Sequence, residues 1–248
     1  MMKFVTAVLT AAVVVELCAG AALAQSKPAS EHEPATSQRR GQISAPREPQ
    51  NLGLLKIELK KYHDCMCTCG CYEASLTQQD DIAIADLERA VRSAPRGERL
   101  ALVLDIDETS LSNYPEMAAH NFGSVQKDWD KWAESGKAKA IPGTLKLEQK
   151  AEQLGVVVFF ITGRNYKLRA ATERNLREAG YADWAGLTLR SKDEVHEATI
   201  QYKSAARERI VQAGYKIILN VGDQWSDLKG TPQAEYSVKL PNPYYYIP

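Results

Sequence analysis

The 248-residue chain predicts an α/β protein, a parallel sheet sandwiched between helices. Three observations lead there. Short continuous apolar runs, LALVL (100–104), VVVFFI (156–161) and KIILNV (216–221), have the length and branched composition of strands buried on both faces. Amphipathic stretches that stop at glycine alternate with them, as in βαβ units. Each run also ends near a polar cluster, and open α/β sheets bind ligands outside the carboxyl ends of their strands.

The first stretch differs from the rest. Lys3 and the apolar run from Phe4 to Val15 precede Ala21-Ala22-Leu23-Ala24, the pattern of a secretory signal peptide over 1–24 with cleavage after Ala24. Glu16 interrupts a run already short for a bilayer, so a stable membrane span fits less well. Glu16-Leu17 is also a poor lead-in for lipidation at Cys18. The mature protein is therefore expected to be periplasmic or secreted. Residues 25–50 are polar and proline-rich and read as a flexible linker, which leaves 51–248 as one folded domain.

Within that domain, Leu52, Leu55 and Leu59 predict a helix over 51–63, and Leu76, Ile84, Leu87 and Val91 a second over 76–92. Pro95 and Gly97 break the chain before the first strand. Helices follow at about 124–135 and 143–154, and Gly155 ends the latter before the 156–161 strand. A charged amphipathic helix over 166–179 stops at Gly180, and the short strand GLTLR (186–190) comes next. A helix over 199–213 ends at Gly214 before the 216–221 strand. AEYSVKL (234–240) reads as a last strand, and prolines keep the tail PNPYYYIP out of a helix or central strand.

Composition narrows the function. With 31 basic and 31 acidic residues, the chain lacks the basic excess of a general nucleic-acid binder. Between the first two helices, CMCTCGC alternates Cys65, Cys67, Cys69 and Cys71. An even count in an exported chain suggests disulfides, yet cysteines two apart sit near the lower limit of a relaxed bridge, so pairing needs a turn at Thr68 and Gly70. A thiolate loop around zinc or copper(I) is an alternative, although zinc loops usually space their cysteines more widely. Unpaired loop thiols are the third reading.

The sharpest signal is DIDETSLSN. Asp105, Asp107 and Glu108 crowd four positions after a buried strand, where they repel one another and lose hydration unless a cation lies among them. The other strand ends carry Thr162, Gly163 and Arg164, then Gly222, Asp223 and Asp227, with Lys203 on the helix between. A parallel sheet gathers these ends on one edge. The set offers carboxylates for a divalent cation, a hydroxyl and an ammonium for an anion, and glycines at 163 and 222 for close approach. Such a toolkit suits phosphoryl transfer. Taken singly, several members have plainer readings: Thr162 as a helix N-cap, Lys203 as a solvated helix face, Asp227 as a surface carboxylate. Glu108 suits a structural role as well as a functional one, and Arg164 either contacts phosphate or pairs with a carboxylate.

In this order, LVLDIDETSLSN, FFITGRN, Lys203 and GDQWSD resemble the four motifs of the haloacid dehalogenase-like (HAD) phosphohydrolases. More narrowly, DIDETSLSNYPEM, WDKW (129–132) and LPNPYYYIP are similar to the subfamily IIIB acid phosphatases, a group of bacterial exported acid phosphatases and plant vegetative storage proteins. The resemblance covers about residues 51–248, and the cysteine cluster stands outside it. It implies a Rossmann-like, HAD-like sheet with a small, mainly helical cap at about 110–155, and Mg2+-dependent hydrolysis of small phosphomonoesters. By the same resemblance Asp105 attacks phosphorus and becomes an aspartyl phosphate, while Asp107 exchanges protons with the leaving alcohol and the hydrolytic water. Magnesium is held by the Asp105 carboxylate, the Asp107 main-chain carbonyl and Asp223, and Asp227 orients water bound to it. Thr162, Gly163 and Lys203 form the phosphoryl-binding set.

Tyr114, Trp129, Trp132, Tyr244, Tyr245 and Tyr246 could stack a nucleobase, which favours a 5'-nucleotidase for nutrient scavenging; the plainer reading has Trp129 and Trp132 anchoring the cap. A homo-oligomer is compatible with the sequence. The rival function is a non-catalytic storage or ligand-binding protein on the same fold. Retention of Asp105, Asp107, Thr162, Lys203, Asp223 and Asp227 argues against it.

Overall fold

A computed structural model describes residues 47–65 and 71–247. The expected signal peptide with Cys18, the linker up to residue 46, and Cys67 and Cys69 lie outside the described residues. The elements in chain order are α1 (Leu52–Asp64), α2 (Tyr72–Ser93), β1 (Leu100–Leu104), β2 (Leu111–Ser112), α3 (Tyr114–Ala119), α4 (Gln126–Ser135), β3 (Lys139–Ala140), α5 (Pro142–Gln153), β4 (Val157–Asn165), α6 (Arg169–Glu178), β5 (Gly186–Arg190), α7 (Thr199–Gln212), β6 (Lys216–Gly222), α8 (Trp225–Leu228) and β7 (Tyr236–Lys239).

Five strands form one sheet in the order β5-β4-β1-β6-β7, and every neighbouring pair is parallel. The strand that leads into Asp105 is thus central. Its side chains explain why its sequence is apolar without alternation. Leu102 and Leu104 pack into a core with Leu87 of α2, Leu147 of α5 and Phe160 of β4. Ala101 and Val103 face the other way, against Tyr202, Ala206 and Ile210 of α7. A strand covered on both faces needs apolar groups at every position.

The α/β sandwich and its parallel sheet match the expected fold class, and differences lie at element ends and in short pieces. β4 runs on through Thr162 to Asn165, beyond its apolar stretch, and after a register shift Asn165 pairs with Arg190 of β5. Hydrophobicity does not mark that extension, because its side chains are polar. α2 starts at Tyr72 rather than 76, with Cys71 at its N-cap. The antiparallel β2–β3 pair, α3 and α8 span two to six residues each, too few for any periodicity to show. Within 110–155, the β2–β3 pair and helices α3 and α4 make an excursion from the sheet, whereas α5 packs against α2 and β4 in the body. Among the described residues no helix is long and apolar enough to cross a membrane.

Candidate active site

The central strand delivers Asp105. Its amide still donates to the Val221 carbonyl at 3.1 Å, extending the ladder one residue past β1. The chain then folds into a tight loop. The Ser110 hydroxyl donates to the Asp105 carbonyl at 2.6 Å, and the amides of Ser110 and Leu111 both reach the Ile106 carbonyl, at 2.9 and 2.8 Å. Glu108 occupies the left-handed region, φ 57°, which a residue with a Cβ enters only under local constraint. Its buried carboxylate supplies that constraint: it accepts from the Asn113 amide at 2.6 Å, the Asn113 side chain at 3.2 Å and the Tyr245 hydroxyl at 2.9 Å.

Around Asp105 the predicted residues converge. Carboxylate oxygens of Asp105, Asp223 and Asp227, all buried, lie within 4.8 Å of one another. The Lys203 ammonium, reaching in from α7, bonds both Asp105 and Asp227. Asp223 accepts from Thr109 at 3.1 Å and from Gln224 and Asn242 at 2.6 Å each, which fixes its carboxylate. Asp227 caps its own helix start through the Gln224 amide at 2.8 Å. Gly222 makes room for it, since a Cβ there would sit 2.4 Å from the Asp227 side chain.

Asp107 points elsewhere. Arg164 grips it with a fork, Nη2 at 2.7 Å and Nε at 3.0 Å from Oδ1, and Asn113 adds a bond at 2.9 Å. Of the two readings of Arg164, the ion pair is the one observed. Thr162 is buried; its hydroxyl accepts from the Arg164 amide at 3.1 Å and lies 3.4 Å from Asp107 Oδ2. Gly163 is exposed, with nothing within 4 Å of the place a Cβ would take. Thus Asp105, Lys203, Asp223 and Asp227 form one cluster, and Asp107, Thr162 and Arg164 a second beside it. The three carboxylates of the first cluster do not include the Asp107 side chain, so any share of Asp107 in metal binding falls to its backbone.

Burial sets the electrostatics. It pushes Asp105 up, with Lys203 opposing and Asp227 and Asp223 adding repulsion. It pushes Asp223 up to about 6, again with Asp227 adding, and Glu108 up to about 8, with Asp107 and Asp223 adding. Burial alone would lower the Lys203 ammonium, but Asp105 and Asp227 more than offset it and raise it. Carboxylates whose charge is this poorly solvated favour a bound cation. Hard oxygen donors on a rigid frame fit a divalent ion such as magnesium.

A cavity of about 470 Å³ opens over both clusters. Trp129, Phe122 and the tail residues Tyr244, Tyr245 and Tyr246 wall it. The two tryptophans divide the two readings between them. Trp129 lines the cavity, 6.0 Å from the Arg164 guanidinium, whereas the Trp132 indole donates to Asn113 at 2.9 Å and packs on the core. Sequence reasoning missed Asn113, Gln224 and Asn242 as site-shaping residues, and named Tyr245 as a stacking ring rather than as a partner of Glu108. All four stand inside the quoted motifs, so their positions were available, but Asn242 and Tyr245 reach the site only through the path of the tail.

Fold and site together define a class: an α/β domain with a carboxylate–lysine centre at the carboxyl end of its middle strands. The chain belongs to the acid phosphatase family, HAD superfamily subfamily IIIB, whose model matches residues 29–248. It is similar to acid phosphatase 1 of Solanum lycopersicum, 45% identical over 148 residues, which is 58% of this chain and 58% of that protein. It is also similar to the stem 28 kDa glycoprotein of Glycine max, 42% over 150 residues, 58% of this chain and 59% of that one. Vegetative storage protein 1 of Arabidopsis thaliana is 36% identical over 152 residues, 59% of this chain and 55% of its own length. The matched stretch therefore spans a little over half the length of these relatives. In fold, the chain resembles the class C acid phosphatase from Bacillus anthracis, with a TM-score of 0.65 at 22% identity over 79% of this chain and 86% of that one.

Proposed function

We propose that this chain is an exported, magnesium-dependent acid phosphatase that hydrolyses small phosphomonoesters through an aspartyl phosphate. The observation that carries the reading is the convergence of Asp105, Asp223 and Asp227 on buried Lys203 beneath the cavity. Asp105, Asp223 and the Asp107 backbone carbonyl would hold magnesium, with Asp227 beside them, and the ion supplies charge neutralisation for the phosphoryl group. The Asp105 carboxylate attacks phosphorus in line as the ester P–O bond breaks, and Asp107, entering the step with a proton on Oδ2 while Arg164 holds Oδ1, gives that proton to the departing alkoxide. Asp107, now a carboxylate, takes a proton from the water that attacks the aspartyl phosphate. Inorganic phosphate leaves and the Asp105 carboxylate is restored. Lys203 and the Gly163 backbone face the phosphoryl oxygens, while Thr162 supports the Asp107–Arg164 pair.

Export is supported by the basic start, apolar run and Ala-x-Ala signal at 21–24, and a periplasmic or secreted location follows from it. Trp129 at the cavity wall supports nucleoside monophosphates among the substrates. The test is release of nitrophenol from p-nitrophenyl phosphate at mildly acid pH. We expect release with magnesium, loss with excess chelator, and a fall of about 10³-fold or more in Asp105→Asn, the scale for removing a covalent nucleophile. Full activity in that variant would sink the mechanism. An inactive but folded wild type would favour the storage or ligand-binding reading.

A further inference from the structure

Beyond the phosphoryl-binding centre the cavity extends to Arg190 and Thr199. Arg190 closes β5, an edge strand of the sheet, and is only 9% exposed. Its Nη1 donates to the Glu194 and Glu197 carbonyls at 2.9 Å each, its Nη2 to the Thr199 hydroxyl at 2.9 Å, and its plane lies over Tyr202. Among the described residues no carboxylate pairs with it. Glu194 turns its carboxylate to the Ser191 amide and toward Arg209 at 3.7 Å, so its charge reaches Arg190 only through space, without a direct ion pair. The first turn of α7, where Thr199 stands, holds no acid.

The cavity's other two buried cations are engaged, Arg164 with Asp107 and Lys203 with Asp105 and Asp227. Arg190 differs: carbonyls and a hydroxyl solvate its guanidinium, and no carboxylate among the described residues bonds it directly. A charge this buried is costly until an anion completes it. The Thr199 oxygen accepts from Arg190, so the hydroxyl hydrogen remains for an incoming oxygen. Thr199 and Lys203 stand four residues apart on α7, about 6 Å along its axis. β5 lies two strands from β1, about 10 Å across the sheet.

We propose that Arg190 and Thr199 form a second anion subsite, which holds the distal phosphate of a bisphosphorylated substrate while its scissile phosphate lies at Asp105 and Lys203. This assignment rests on the phosphatase reading for the first phosphate. The spacing selects small carbon skeletons whose two phosphorus atoms are about 6–10 Å apart, as the helix and sheet dimensions set it. With three of its five N–H groups engaged, Arg190 keeps its Nε–H and one Nη2–H as donors for a phosphate.

Non-hydrolysable phosphonates test it separately from turnover. By calorimetry with magnesium present, pentane-1,5-bisphosphonate should bind wild type about 10-fold or more tightly than pentylphosphonate, the scale of one charge-assisted bidentate contact. That advantage should vanish in Arg190→Gln and shrink in Thr199→Val. The second variant keeps the guanidinium and its carbonyl bonds, so it reports even if the first unfolds. Equal binding of the two phosphonates by wild type, or an advantage undiminished in both variants, overturns the subsite. A bisphosphonate preference in a protein that fails to hydrolyse p-nitrophenyl phosphate would remove the catalytic reading and leave the subsite standing.

Discussion

Arg164 and Asp107 are held together so closely that each defines the other's function. Three hydrogen bonds at 2.7, 3.0 and 3.1 Å leave the carboxylate one orientation, and Asn113 adds a fourth contact at 2.9 Å. For a group that must pass a proton to a leaving oxygen and later take one from water, orientation is most of the task. Arg164→Leu should therefore lower kcat by about 10²-fold or more, the contribution usual for a positioned acid, while KM changes little. Arg164→Lys should recover only part of it, because an ammonium cannot reproduce the fork. Separate kcat and KM values for both variants on p-nitrophenyl phosphate check this; a change confined to KM would instead mean that Arg164 binds the phosphate. At this scale the sequence was informative where the chemistry is local. The repulsion of the crowded carboxylates in DIDET is legible without coordinates, but its relief is not: Asp105 meets Lys203, Asp107 meets Arg164, and Glu108 is held by Asn113 and Tyr245. Arg190 left no such mark, since its interest comes from the direct ion pair it lacks, and that depends on what folds around it.

α2 and α5 pack together in the body, and Gly143 of α5 passes close by Asp80 of α2. A Cβ on Gly143 would stand 1.9 Å from Asp80 Oδ2 and 2.7 Å from its Cβ, so the glycine sets the approach of the two helices. Gly143→Ala should cost about 1–3 kcal/mol of unfolding free energy, in the range for overpacking a well-filled core. Urea denaturation measures it, and an unchanged midpoint would mean that the helices part without penalty. Elements were readable in proportion to their length and their burial. The strands at 100–104, 186–190 and 216–222 were expected within a residue; burial on both faces makes the first and last mostly apolar, whereas the edge strand GLTLR shows itself through the alternation of Leu187 and Leu189. The last four residues of β4 were not, because TGRN extends the strand by backbone pairing alone. α8 escaped for another reason: its four residues are fixed by the reciprocal bonds between Gln224 and Asp227, not by an apolar face.

For the molecule as a whole, buried acids tie stability to pH. Burial pushes Asp80 up to about 7, the Thr144 hydrogen bond opposing only in part, and pushes Glu148 up to about 7 as well. The Thr144 hydroxyl has one hydrogen, and the Thr109 carbonyl at 2.7 Å is a nearer acceptor than Asp80 at 3.4 Å, so Thr144 gives the Asp80 carboxylate little relief. Both acids hold protons more tightly folded than unfolded. Their contribution is complete below the unfolded values near 4 and is lost as pH rises through about 7. Between pH 5 and pH 8 unfolding free energy should fall by about 2 kcal/mol on account of Asp80. Asp80→Asn should flatten that slope in urea titrations; an equal slope in the variant would locate the effect elsewhere. The order of the sheet has a kinetic consequence too. β1 is made before either neighbour, and its partner β6 begins only at Lys216, more than a hundred residues later. Pairings of such separation form slowly. For the export proposed above, that delay would leave the central strand without its β6 partner, and the polypeptide still threadable, until most of it has been synthesised.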